Sequence, residues 1–266
     1  MKDQLKRDIQ LKKTPKRIVS LVPSQTELLV DLGLETSIVG VTKFCVHPKH
    51  LRRSKVVVGG TKQINIEKIK ALKPHVILCN KEENTKAIIE SLEAIAPIYI
   101  SDIYNLEDCF ELIKMYGAIF NVEAKASSLV LNIQNKRNAF QLQIKDKKRL
   151  KVAYFIWKNP WMVAGNNTFI NHLLELNKFE NMYSNQKRYP EIKLNDSVQN
   201  KDVQVVFLSS EPFPFKEVNK NEVHDFYPNA ITMLVDGEMF SWYGSRLTKA
   251  FNYFKTLHLS LQNNEL

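Results

Sequence analysis

Cys45, His47 and His50 place a thiol and two imidazoles within six residues. A C-x-H pair can serve a metal, yet structural sites use four ligands. The alternative is a surface turn whose histidine hydrogen-bonds locally. A second group is aromatic: Trp157, Trp161, Phe213, Phe215, Trp242 and Tyr243 all fall in predicted turns. Rings exposed there are costly unless they meet something, so they either contact a ligand or seal the edges of the fold. Arg246 lies one turn into a predicted last helix, near Trp242 and Tyr243. Its guanidinium could hold a ligand carboxylate or pair with Asp236 or Glu238. Glu211 precedes Pro212 and Pro214, which stiffen the loop around Phe213 and favour a preformed surface. No G-x-S-x-G, Walker loop or H-E-x-x-H accompanies these groups. No catalytic residue is therefore assigned, and an enzyme is not expected.

These residues must be carried by regular elements. Apolar runs at 17–22, 38–41, 56–58, 76–79 and 98–100 read as strands, as do 152–156, 162–164, 203–208 and 231–235. Helical segments alternate with them, and such short βαβ units predict parallel sheets with helices on both faces. Open sheets bind ligands beyond the carboxyl ends of their strands. That rule selects the turns 23–27, 44–47, 59–61, 157–166, 209–215 and 236–246. The binding residues expected from them are Pro23, Ser24, Thr61, Trp157, Trp161, Asn166, Glu211, Phe213, Trp242, Tyr243 and Arg246, with Cys45 and His47 as metal candidates. Local rules add a capping box at Ser24 and Glu27 with Gly33 as C-cap. They also give a cap at Asn166 or Asn167 for a helix over 168–176, polar irregular chain over 177–200, and a last helix over 242–259.

Between the two halves, 22 residues (123–144) contain neither Pro nor Gly. Val122, Ala126, Leu129, Ile133, Phe140 and Ile144 form a narrow helical stripe. The stretch reads as a strut joining two α/β halves; one more packing helix in a single large sheet is the alternative. Without Pro or Gly it has no built-in kink. The expected organisation is a loose basic arm over 1–14, an N-terminal α/β lobe over 15–121, a linking helix over 122–146 and a C-terminal α/β lobe over 147–266.

The formal charge of +10 is concentrated. Residues 1–17 carry +5 and residues 123–151 carry +6, leaving the remainder near neutral. A basic arm and a basic strut make no nucleic-acid groove, and no helix-turn-helix or RNP pattern accompanies them. Cys79 and Cys109 read as buried thiols. No apolar run is long enough to span a membrane. The first 17 residues lack the apolar stretch of a secretory signal, which predicts a cytosolic chain if the sequence is complete.

The run RIVSLVPSQTE at 17–27, Leu32-Gly33, Val39-Gly40-Val41, Gly59-Gly60-Thr61 and residues 66–78 resemble the vitamin B12 and ferric-siderophore binding proteins of ABC importers, of the helical-backbone metal receptor type. The resemblance covers residues 16 to about 258. It implies an α/β fold of class III periplasmic-binding-protein type: two lobes joined by one long helix, a shallow interlobe site and little hinge motion. It also implies a periplasmic or cell-envelope location and no cofactor of the protein's own. The expected ligand is cobalamin, a ferric siderophore or haem, and the aromatic set suits such flat, largely apolar molecules. A monomer is expected, docking transiently on an importer permease through acidic residues of both lobes. Glu82, Glu83, Glu217 and Glu222 lie in suitable regions. Two other readings stand beside this one: a two-lobed tetrapyrrole chelatase using His47 and Glu211, or a cytosolic corrinoid or haem carrier without a transporter.

Overall fold

The computed structural model describes residues 1–194 and 202–264. They form two compact units, Met1–Ile133 with Trp242–Arg246, and Gln134–Ser241 with Leu247–Leu266.

The first unit is built on β1 (Ile18–Ser20), β2 (Ile38–Val41), β3 (Val56–Val57), β4 (Val76–Asn80) and β5 (Ile98–Ser101). All pairings are parallel, in the order β3-β2-β1-β4-β5. Every residue of β1, β4 and β5 is buried. Strands covered on both faces read as continuous apolar runs, which is how the sequence presents them. Parallel pairing also brings all the carboxyl ends to one edge. The turns bearing Pro23, Phe44, Thr61 and Glu83 therefore share that edge.

Five helices accompany this sheet: α1 (Pro23–Asp31), α2 (Leu51–Ser54), α3 (Ile66–Ala71), α4 (Lys86–Leu92) and α5 (Leu106–Phe120). Helix α5 is firmly specified, opening on a capping box between Asn105 and Asp108 and closing on Asn121 in the left-handed region. Helix α1 differs from expectation. It starts on Pro23 with no side-chain cap, so Ser24 and Glu27 lie inside the helix and form no capping box. Proline loses no hydrogen bond in the first turn, and this frees the Glu27 carboxylate for a tertiary partner.

Residues 1–9 are not a loose arm. Asp3 and Ile9 are buried, and side chains of this segment occupy the open edge of β5. Arg7 donates to the Ile98 carbonyl at 3.0 Å, Ile100 N donates to Asp3 at 3.4 Å, and Asp102 N donates to Gln4 at 3.2 Å. An uncovered edge strand is a template for pairing with another chain. Deleting residues 1–9 is expected to cause concentration-dependent association, measured by light scattering on size-exclusion peaks. An unchanged mass for the shortened chain would show that this edge needs no cover.

Helix α6 (Glu123–Gln143) follows at the expected place. At 1.5 Å per residue it runs about 31 Å. Its buried stripe is Ala126, Val130, Ile133 and Phe140, with Ile144 just beyond its end. Val130 is buried where Leu129 was expected; Leu129 is half-buried. The boundary between the units falls inside this helix, after Ile133.

The second unit centres on β6 (Leu150–Trp157). One edge of β6 pairs in parallel with β9 (Val205–Ser209), which pairs with β10 (Ile231–Val235). Its other edge pairs in parallel with β8 (Phe179–Asn181) and then antiparallel with β7 (Met162–Val163). Strand β8 lies in the stretch read as irregular from sequence, of which residues 195–200 fall outside the described residues. Helices α7 (Phe169–Leu176), α8 (Glu217–His224), α9 (Gly237–Ser241) and α10 (Leu247–Asn264) complete the unit. Thr168, not Asn166 or Asn167, caps α7, accepting from Asn171 N at 3.1 Å. Phe140 of α6 packs on Phe251, Phe254 and His258 of α10 at ring separations of 5.8–5.9 Å.

The last helix begins at Leu247, not at Trp242. Gly244 adopts φ +92°, which breaks helical continuity. The pentapeptide Trp242–Arg246 packs in the first unit although the chain on both sides belongs to the second.

Candidate ligand-binding surfaces

The pentapeptide is held at the carboxyl edge of the first sheet by buried polar groups. The Gln25 amide nitrogen donates to Ser101 Oγ at 2.6 Å and to the Tyr243 hydroxyl at 3.0 Å. The Tyr116 hydroxyl donates to Gln25 Oε1 at 2.6 Å. Ser24 also bonds the Tyr243 phenol, whose pKa burial pushes well up. Gly244 N donates to Cys109 Sγ at 3.1 Å. A Cβ at Gly244 would lie only 3.3 Å from Leu28.

Arg246 Nε donates to Glu27 Oε2 at 2.8 Å, and both side chains are about 95% buried. Glu27, 219 positions away, is a partner that the sequence reading did not include. The guanidinium lies over the Trp242 ring at 4.9 Å, and Trp242 meets the His47 ring edge-on at 5.5 Å. Trp242 and Tyr243 are therefore packed side chains, each 7% exposed, and not open rings.

The metal candidates separate. The Cys45 thiol is fully buried, 3.1 Å from Thr26 Oγ1 and 3.3 Å from Thr42 Oγ1. Burial pushes its pKa up. Those are the surroundings of a packed thiol, since ligation requires the thiolate. His47 is half-buried against Trp242, while His50 is exposed and pairs with Glu35 at 2.8 Å. Among the described residues, no three His, Cys, Asp or Glu side chains gather as a metal site.

Two residues at this edge escaped the binding set drawn from sequence. Phe44 is 48% exposed, and its ring lies over Gly60, where a Cβ would come within 3.2 Å of it. Its position directly after β2, in a turn already marked for ligands, was the available signal. Glu83 is half-buried and bonds the Thr61 side chain, and burial pushes its carboxyl pKa up. Its loop is pinned by amides: Asn80 Oδ1 accepts from Glu82 N at 2.8 Å and Glu83 N at 3.1 Å, while Asn84 Nδ2 donates to the Thr61 carbonyl at 3.0 Å.

In the second unit, the end of β6 and the turns after β6 and β9 carry a run of aromatic rings that rises from the core: Phe215 is buried, Phe213 and Trp161 are half-buried, and Trp157 is exposed. Trp157 is 38% exposed and meets Phe213 edge-on at 5.8 Å. Phe213 meets Phe215 at 4.7 Å, and Trp161 stacks on Phe215 at 6.0 Å with planes 10° apart. Lys158 lies over Trp161 at 5.6 Å and pairs with Glu222. Edge-on and stacked rings favour one another electrostatically, so the run is set before any ligand arrives. Glu211 beside it accepts from the Ser241 hydroxyl. Gly237 permits this packing, because a Cβ there would lie 2.3 Å from Ser209 Oγ and 2.6 Å from Glu211 Cγ. Asn166 is exposed and runs alongside Gln186 and Arg188.

The candidate docking acids are mostly engaged. Glu82 and Glu83 are half-buried, Glu222 pairs with Lys158, and Glu217 is exposed but pairs with Lys220 at 2.9 Å. No described helix is long and apolar enough to cross a membrane. Each unit thus has one exposed ring, Phe44 or Trp157, backed by partly buried rings and a few fixed polar groups at the carboxyl edge of its sheet; small-molecule sites combine the same kinds of group.

Comparison with known proteins agrees with this architecture. The chain is 28% identical over 248 residues to the uncharacterized ABC transporter substrate-binding lipoprotein YvrC of Bacillus subtilis, covering 86% of this chain and 78% of that one. Among solved structures, a possible iron-binding, periplasmic solute-binding protein from Staphylococcus epidermidis superposes with TM-score 0.77 at 22% identity, covering 92% and 98% of the two chains. The periplasmic vitamin B12-binding protein BtuF of Vibrio cholerae superposes with TM-score 0.74 at 20% identity, covering 91% and 96%. Identities this low speak for the fold, and a fold does not by itself settle a ligand. The family model for periplasmic binding proteins matches residues 18–228, and the chain belongs to that family.

Proposed function

We propose that this protein is the substrate-binding component of an ABC importer. In this reading it captures a metal chelate or corrinoid (cobalamin, a ferric siderophore or haem) between its lobes and hands it on without chemical change. The observation that carries it is the aromatic run Trp157–Phe213–Phe215–Trp161 at the ligand edge of the second sheet. A flat apolar ring system is what such a surface complements. Phe44 and His47 at the corresponding edge of the first sheet support the same class of ligand. The names of the relatives, an ABC-transporter substrate-binding lipoprotein, a possible iron-binding protein and a vitamin B12-binding protein, agree with it. The protein then works in the cell envelope, as a monomer, docking transiently on a permease through surface acids of both lobes.

Titration calorimetry with cyanocobalamin, haem and a ferric siderophore tests this. One-to-one binding of at least one of them is expected. No heat from any at tens of micromolar, or metal insertion into free porphyrin, would overturn the reading. Trp157→Ala or Trp161→Ala is expected to weaken binding by about 1–3 kcal/mol, as buried aromatic anchors do. Cys45→Ser should leave affinity nearly unchanged, because that thiol is enclosed by Thr26 and Thr42. The reverse ranking would mean that ligation through Cys45, and not the ring face, holds the ligand.

A further inference from the structure

The buried pair Glu27–Arg246 is an expensive way to hold a pentapeptide in place. Replacing a buried ion pair by apolar side chains of similar volume is often neutral or stabilising, because two charges no longer have to leave water. Stability alone therefore gives little reason for this pair, whereas its geometry gives one. Glu27 is fixed on α1, one turn after Pro23. Its carboxylate receives Arg246 Nε at 2.8 Å, and the guanidinium supports Trp242 at 4.9 Å. A planar guanidinium oriented by a carboxylate presents a flat face to an aromatic ring, which an ammonium or an alkyl chain does not. The Trp242 ring is buried and meets His47, which is half-exposed. The imidazole is thus the part of this chain of contacts nearest to solvent.

We propose that Glu27 is a positioning residue for the ligand surface of the first unit, acting through Arg246 on Trp242 and through Trp242 on His47. The inference rests on reading that edge as a ligand surface, so its test needs one readout that requires no ligand. His47 supplies it, since the Trp242 ring shifts the imidazole proton resonances. These can be identified by their loss in His47→Asn.

The decisive variant is Glu27→Leu combined with Arg246→Met, which removes both charges and leaves neither unpaired. It is expected to unfold near the parent's temperature yet show displaced His47 resonances. Affinity for whichever of cyanocobalamin or haem the parent binds should fall about fivefold or more, the scale of a misplaced contact residue. Should the double variant fail to fold, Glu27→Ser, too short to offer Arg246 Nε an acceptor, is read in the same way. His47 resonances unchanged from the parent would overturn the proposal, whatever the affinity. Displaced resonances with unchanged affinity would uphold the positioning by Glu27 and overturn the reading of this edge as a ligand surface.

Discussion

Arg246→Met is expected to lower the stability of the protein by about 3–5 kcal/mol, the usual cost of leaving one member of a buried ion pair without its partner. Both side chains are about 95% buried, so in the variant the Glu27 carboxylate stays in the core without the guanidinium that faces it. The Trp242 ring also loses the cation beneath it, worth about 0.5–2 kcal/mol more. In a chain of this size each kcal/mol moves the unfolding temperature by about 2–4 °C, so calorimetric scans of parent and variant should differ by roughly 10 °C. A shift within a degree or two would mean that water reaches Glu27, contrary to its burial. Glu27→Leu with Arg246→Met separates the costs: the single change leaves the buried carboxylate without its guanidinium, whereas the double change removes both charges. Recovery of most of the loss in the double variant is therefore expected.

The second large effect is a loss of stability in mild acid that traces to His258. Its side chain lies in the core of the second unit, stacked on Phe179 at 5.0 Å and tilted against Phe140 at 5.8 Å. Burial, assisted by the positive charge of Lys147, pushes its pKa down from 6.5 to about 4. Between those values the unfolded chain binds a proton that the folded chain refuses, so stability rises with pH. The contribution is complete above about pH 6.5 and is lost progressively as pH falls towards 4. Over the full window it amounts to at most about 3 kcal/mol. His258→Phe should remove this slope, so the difference between parent and variant in urea midpoints at pH 7 and pH 4.5 isolates it.

Two carboxyls act differently over the same range. Glu83, with its pKa raised by burial, favours the folded state as pH falls through its folded value towards the ordinary glutamate range. Glu222, lowered by its bond to Lys158, withdraws stability only as pH falls below the ordinary glutamate range. Both remain in His258→Phe and cancel in the comparison. An identical slope in parent and variant would show that the imidazole is not excluded from water.

The sequence by itself determined most of the elements and the strand-end edges where the candidate ligand residues stand. Apolar runs such as 76–79 can only be strands covered on both faces, and parallel pairing then gathers the turns after them at one edge. The 21 residues of α6 were legible because they combine a helical stripe with the absence of Pro and Gly. The aromatic run of Trp157, Phe213 and Trp161 was visible for the same reason: its residues sit at the end of a strand or in the turns that follow, and local pattern reports on both.

Tertiary structure alone decided the partners of the polar residues. Ser24 and Glu27 have the spacing of a capping box, but Pro23 already starts the helix, and Glu27 pairs with a residue 219 positions away. Residues 242–246 continue a helical pattern in sequence. Gly244, Cys109 and Gln25 instead draw them into the first unit, so Trp242 and Tyr243 become core where local rules made them surface. Residues 1–9 look like a solvated basic arm until the edge of β5 offers them unpaired backbone groups. In each case the deciding energy is the desolvation of a buried polar or charged group, which depends on what the whole fold brings beside it. Periodicity records which face of an element is apolar, and carries no information about which distant group will satisfy a charge buried on that face.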